Sequence, residues 1–165
     1  MTKSMKDYIA LKVPYFSKIT RKYRFEGVIK DRAWAILSDY VRMRDFILYG
    51  TCVATGSKIG HWRDGDAGHF YSMGGHGALS GFDPFNVHLQ SKHSNHMSSF
   101  ADGAPFEREL VRRYGEWIIK HLRDQANATV KADDFFFIQK IRGVYDDFLL
   151  LKEQHPNYDY PEYLN

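Results

Sequence analysis

Residues 66–96 read DAGHFYSMGGHGALSGFDPFNVHLQSKHSNH, and the reading of this stretch decides how the rest of the chain is understood. It carries five of the eight histidines, two asparagines and an early aspartate. It lacks the long apolar period of a helix. A segment of that kind places polar side chains around something small and charged. We read it as a one-metal nuclease site, with the flanking chain as helical support and nucleic-acid surface.

Working outward, the flanks are helical. Ala33, Ile36, Leu37, Tyr40, Val41, Arg44 and Ile47 recur at three- and four-residue spacing, which predicts a helix over about 30–47, stopped at Gly50. Pro105 suits the start of a helix over 105–123, with Leu110, Val111, Tyr114, Trp117, Ile118 and Leu122 as its buried stripe. Thr129 is a candidate N-cap for a third helix, 130–153, whose face carries Phe137, Ile141, Val144, Tyr145 and Phe148. Between the first helix and the central stretch, Cys52–Ala54 and Ile59–Arg63 predict short strands around a Gly56-Ser57 turn. Gly74 to Gly81 reads as a glycine-rich loop connecting two arms of the site. The run from Gly50 to Ser57 is not a phosphate loop, because Ser57 stands where that motif needs lysine. The expected fold class is α+β. Residues 1–29 form a basic arm, 30–155 one domain with its site core at about 51–100, and 156–165 a tyrosine-rich tail.

Composition bounds the function. At 165 residues with 44% apolar side chains, the chain can bury one core. The net charge of +3 is unevenly spread: up to Arg24 there are seven Lys/Arg against one acid, Asp7. An arm that also carries Tyr8, Tyr15, Phe16 and Tyr23 is suited to tracking a phosphate backbone, and equally to being a solvated terminus. The single cysteine, Cys52, excludes an intrachain disulfide framework and points to a reducing compartment. No apolar run approaches the ~20 residues needed to cross a bilayer, so a cytoplasmic protein is expected.

Phosphodiester hydrolysis needs an activated water, neutralised phosphate charge and help for the leaving oxygen. A hard divalent ion on oxygen ligands supplies the last two, and a neutral imidazole takes the proton of the water. The segment DAGHF, then FDPFNVHLQ, then S-x-x-S-N resembles the phage NinG/Rap recombination nuclease family, within the wider HNH, or ββα-metal, nucleases. Upstream WAILSDYVRMRD with G-T-C-x-x-T-G, and downstream ELVRRYG, extend the resemblance from about Trp34 to Tyr145.

The resemblance implies a small ββα-metal (HNH-type) core with surrounding long α-helices. It implies a metal-dependent DNA endonuclease of phage recombination, acting on branched, Holliday-junction-type DNA, and a homodimer because resolving a junction takes two cuts. Carried over, His69 is the general base and Asn86 the residue that holds the loop and orients that base. Asp66 and Asn95 are metal ligands, as in endonuclease VII-like sites, with His96 the alternative to Asn95. The ion expected is Mg²⁺ or Mn²⁺. Arg63, Lys92 and Arg108 are candidate phosphate contacts.

Two departures from the family pattern matter. Two Cys-x-x-Cys pairs that clamp a structural zinc in relatives read Cys52-Val53-Ala54-Thr55 and Ser91-Lys92-His93-Ser94 here, so no four-cysteine zinc site is expected. Gly68, rather than an acid or histidine, precedes His69, which leaves Asp66, three residues back, as the ligand. A regular strand puts those two on opposite faces, so a bulge or turn at Gly68 is predicted. The competing functions are a catalytically inactive DNA-binding module that kept the fold, and a zinc hydrolase, which ranks last because no H-E-x-x-H pair is present.

Overall fold

The computed structural model describes residues 4–16, 23–24, 28–97 and 103–164. Lys3, Lys18, Arg21 and Lys22 of the basic arm, and residues 98–100 of the expected site core, lie outside the described residues. The chain divides into two compact units, Met1–Tyr40 with Lys131–Asn165, and Val41–Val130.

In the first unit, Ser4 caps helix α1 (Met5–Ala10) reciprocally with Asp7, a capping box that satisfies two end donors at once. Tyr8 is buried, donates its hydroxyl to Asp146 Oδ1 at 2.8 Å and stands edge-on to Tyr145. Tyr8 is thus a core residue, not the phosphate-tracking aromatic the composition suggested. Strands β1 (Tyr15–Phe16) and β2 (Tyr23–Arg24) pair antiparallel. The first half of α2 (Ile29–Leu48) and helix α7 (Asp134–Gln154) complete the unit. Asp133, not Thr129, caps α7 by accepting the Phe136 N–H, so the helix starts later than expected. The tail does not simply leave α7. The Tyr160 hydroxyl donates to the carbonyls of Leu151 and His155, and Lys152 Nζ donates to the Leu164 carbonyl, so the tail doubles back along the helix.

The second unit holds the C-terminal part of α2, β3 (Gly65–His69), α3 (Met73–Gly81), β4 (Val87–Ser91), α4 (Lys92–Met97), α5 (Gly103–Tyr114) and α6 (Trp117–Asn127). Gly50, at φ +66°, ends α2 as expected, its N–H returning to the Asp45 carbonyl. The strands expected at Cys52–Ala54 and Ile59–Arg63 do not form. Only the Thr51–Lys58 bridge and a 3₁₀ turn at Trp62–Asp64 stand there. Cys52, Val53 and Ala54 are all buried, so this run packs on every side instead of alternating. The sheet is β3 against β4, antiparallel, with Asp66 opposite Gln90, Gly68 opposite His88 and His69 opposite Val87.

The glycine-rich stretch is helical rather than a loop, and it is interrupted at Gly77, whose φ of +78° excludes it from a continuous helix. The single helix expected over 105–123 is two, because Gly115 takes φ +89° between α5 and α6. The core of this unit gathers Cys52, Val53, Leu89, Phe106, Leu110, Ile118 and Leu122. The fold is α+β. Among the described residues, no helix is long and apolar enough to cross a membrane.

Candidate functional site

Strand β4 runs straight into α4, which packs on both β4 and its partner β3; α3 lies between the two strands in sequence. The Ser91 hydroxyl accepts the Ser94 N–H at 3.2 Å, covering a donor of the first helical turn. This junction swings Asn95 over β3, where its Nδ2 donates to Asp66 Oδ2 at 3.1 Å. Asp66 and Asn95, 29 residues apart in sequence, are therefore brought together. Both are half-buried. His96, the alternative third residue, is exposed one position further along α4.

His69 ends β3 and is half-buried. Its Nε2 lies 3.0 Å from the Gly81 carbonyl oxygen. A carbonyl only accepts, so Nε2 carries the proton and the lone pair of the neutral ring is on Nδ1. Burial holds the imidazole below its ordinary value of 6.5, with the Gly81 bond acting the other way. Neutral His69 is thus the resting form at pH 7, which a proton acceptor requires.

The predicted bulge at Gly68 is absent. The pairing runs without interruption from Gly65–Ser91 to His69–Val87, so Asp66 and His69 leave opposite faces of the strand. The physical reason is Gly68 itself. A Cβ there would stand 1.6 Å from Gln90 Oε1, and the missing side chain lets the Gln90 amide lie flat against an unbroken strand.

Asn86 is fully buried and knits the turn beneath His69. Its Oδ1 accepts the Tyr71 N–H at 2.8 Å, and its Nδ2 donates to the carbonyls of Tyr71 and Ser80 and to Ser80 Oγ. Because Ser80 precedes Gly81, Asn86 also fixes the carbonyl that holds the His69 ring. Asn86→Ala would leave the Tyr71 N–H and carbonyl and the buried Ser80 carbonyl without this partner. We expect a loss of more than about 2 kcal/mol, read by urea unfolding, and faster amide exchange at Tyr71.

The candidate phosphate contacts differ in place. Lys92 opens α4 three residues before Asn95 and is exposed; Arg108 is exposed on α5. Arg63 is exposed with its guanidinium 4.3 Å above the buried Trp62 ring, and Arg42 stands 5.1 Å from the same ring.

Sequence reasoning missed a buried ionic group behind β4. Asp45 Oδ2 accepts from His88 Nδ1 at 2.9 Å, the Leu89 N–H at 3.0 Å and Arg113 Nη1 at 3.1 Å, and Oδ1 accepts from Arg44 Nε at 2.8 Å. Burial alone would raise the Asp45 carboxyl, but the Arg44 charge, then His88, holds it well below the usual carboxylate range. The signal was available: Asp45 lies four residues after Val41, on the apolar stripe of α2. Gln90 was missed too. It is a buried polar residue, like His88, on the second face of a strand whose other face holds Val87 and Leu89.

Cys52 and Ser91 are joined. Burial would raise the Cys52 thiol, but hydrogen bonds from the Thr55 side chain and the Ser91 backbone carry it below its usual value. Ser91 in turn holds Ser94.

A donor set of one carboxylate and carboxamide oxygens is hard, and fits Mg²⁺ or Mn²⁺, which often bind through one or two carboxylates plus substrate phosphate. Among the described residues no three His, Cys, Asp or Glu side chains gather as a metal cluster. The family model described as Bacteriophage Lambda NinG protein matches residues 17–149. No curated protein and no solved structure matches the chain.

Proposed function

The chain belongs to the NinG family, and from that premise we propose that it is a metal-dependent endodeoxyribonuclease of phage recombination, acting on branched DNA. The observation that carries the reading is the Asp66–Asn95 pair on the strand that also bears, on its other face, a half-buried, neutral His69. The packing of α4 on the β3–β4 pair, with α3 inserted between the strands in sequence, supports an HNH-type, ββα-metal site.

In this reading Asp66 and Asn95 would hold Mg²⁺ or Mn²⁺, which when bound would neutralise phosphate charge and help the leaving 3′-oxygen. His69 Nδ1 takes the proton of the attacking water, and the Gly81 carbonyl keeps the ring in the tautomer that can accept it. Asn86 maintains that carbonyl through Ser80. Lys92, Arg63 and Arg108 contact the phosphate backbone. A homodimer supplies the second cut on a junction, and host cytoplasm is where such DNA is met.

A second reading has its own support. Asp66 and His69 leave opposite faces of an unbulged strand, an arrangement that suits a module binding DNA without cutting it. A labelled four-way junction and a matched linear duplex, incubated with Mg²⁺, Mn²⁺ or EDTA, separate the two. Metal-dependent cutting, favouring the junction and reduced at least 100-fold in Asp66→Asn, is the expected result. Binding with no cutting in any metal would establish the binding module instead.

A further inference from the structure

Resting on the nuclease reading, we infer that Gln90 supplies a third protein oxygen at the Asp66–Asn95 cation position, in place of the side chain that Gly68 lacks. Gln90 sits directly opposite Asp66 in the strand pair and is 1% exposed. Its Nε2 donates to Ser94 Oγ at 3.2 Å, and Ser94 is itself buried. That bond fixes which way the amide points. Gln90 Oε1 is left buried with no hydrogen-bond partner.

A buried amide oxygen without a partner costs about 1–3 kcal/mol, and native proteins keep such atoms where a water, ion or ligand completes them. The surroundings identify which. The point where a Gly68 Cβ would stand is 1.6 Å from Gln90 Oε1 and 3.0 Å from Asn95 Oδ1. The two oxygens are no farther apart than the sum of those distances, within a few tenths of an ångström of the about 4.2 Å that two oxygens on opposite sides of one Mg²⁺ span. Asn95 turns its Nδ2 toward Asp66 and its Oδ1 toward this point. Two carboxamide oxygens thus converge beside a carboxylate, at a strand position, Gly68, with no side chain to fill the space. A side chain at residue 68 and an inward-turned Gln90 exclude each other.

The test is Mn²⁺ binding to the full chain without DNA, followed by electron paramagnetic resonance and calorimetry, with Mg²⁺ as competitor. Wild type should bind one Mn²⁺. Gln90→Met should weaken it by about tenfold or more, and Gln90→Glu should tighten it by about as much. Of the four glutamine side-chain amides, Gln90, Gln125, Gln139 and Gln154, that of Gln90 should broaden first as Mn²⁺ is added. Thermal unfolding checks that each variant folds; if Gln90→Met does not, Gln90→Glu decides. Binding weakened by Asp66→Asn but unchanged in both Gln90 variants would overturn the inference and leave the cation site standing. No Mn²⁺ bound by wild type or by Gln90→Glu would overturn the metal-dependent reading as well.

Discussion

Asp45→Ala is expected to remove most of the stability of the Val41–Val130 unit, about 3–5 kcal/mol. Asp45 has no exposed surface, and its two oxygens are the shared acceptor for Arg44, His88, Arg113 and the Leu89 N–H. Removing it takes the carboxylate from the buried Arg44 guanidinium, which keeps the Pro84 and Val87 carbonyls, and leaves Arg113 with Glu109 alone, which is far worse than never having had the group. Domains are typically stable by only 5–15 kcal/mol, so this loss is enough to unfold a marginal one. Urea unfolding followed by tryptophan fluorescence measures it. Lys120→Ala is the control: its pair with Asp124 is 80% and 59% exposed, and its loss should change stability by no more than about 0.5 kcal/mol. The pH dependence has a definite sign. With its folded pKa lowered, Asp45 contributes fully above the ordinary carboxylate value of 3.8, and the contribution is lost progressively as the pH falls from there through its lowered folded value. A wild-type midpoint for Asp45→Ala would mean that the network stabilises nothing on balance.

His69→Ala should lower metal-dependent DNA cleavage by about 10²–10⁴-fold while leaving the unfolding midpoint near wild type. The pH profile carries more information than the loss. Burial lowers the His69 pKa, so cleavage should rise with pH through an apparent value below 6.5 and stay flat above it. An unperturbed histidine would put the rise at 6.5. Stability has the same direction. Below 6.5 the unfolded chain binds a proton that the folded state resists, so the His69 contribution weakens as pH falls between the two values. Cleavage retained by His69→Ala, or a profile rising above 6.5, would place the proton acceptor elsewhere.

The long periodic segments were legible before any coordinates. Helix α2 follows the spacing from Ala33 to Ile47, and Gly50 ends it in the left-handed conformation that a glycine stop implies. What was illegible depended on partners distant in sequence. Cys52–Ala54 looked like a strand because apolar runs of that length do not reveal whether they alternate. The break at Gly115 lay inside an unbroken apolar stripe, since Tyr114 and Ile118 fit either one helix or two. At the site, the aspartate, histidine and both asparagines stood out by residue type. That Asp66 meets Asn95 rather than His96 followed from the Ser91–Ser94 turn, whose geometry no spacing rule contains. Gln90 gave no signal by type, because its meaning lies in the empty position of Gly68.

The chain's single cysteine, Cys52, is 1% exposed within the second unit. A bulky maleimide cannot reach it until that region parts from Leu89 and Phe106. Labelling therefore proceeds only through transient openings, and at low reagent its rate is the free-thiol rate scaled by the open fraction. The molecule carries its own stopwatch. Timed alkylation in dilute buffer, with and without divalent ions or DNA, reports how often this region breathes and whether a ligand quietens it, with no label added beforehand and no residue changed.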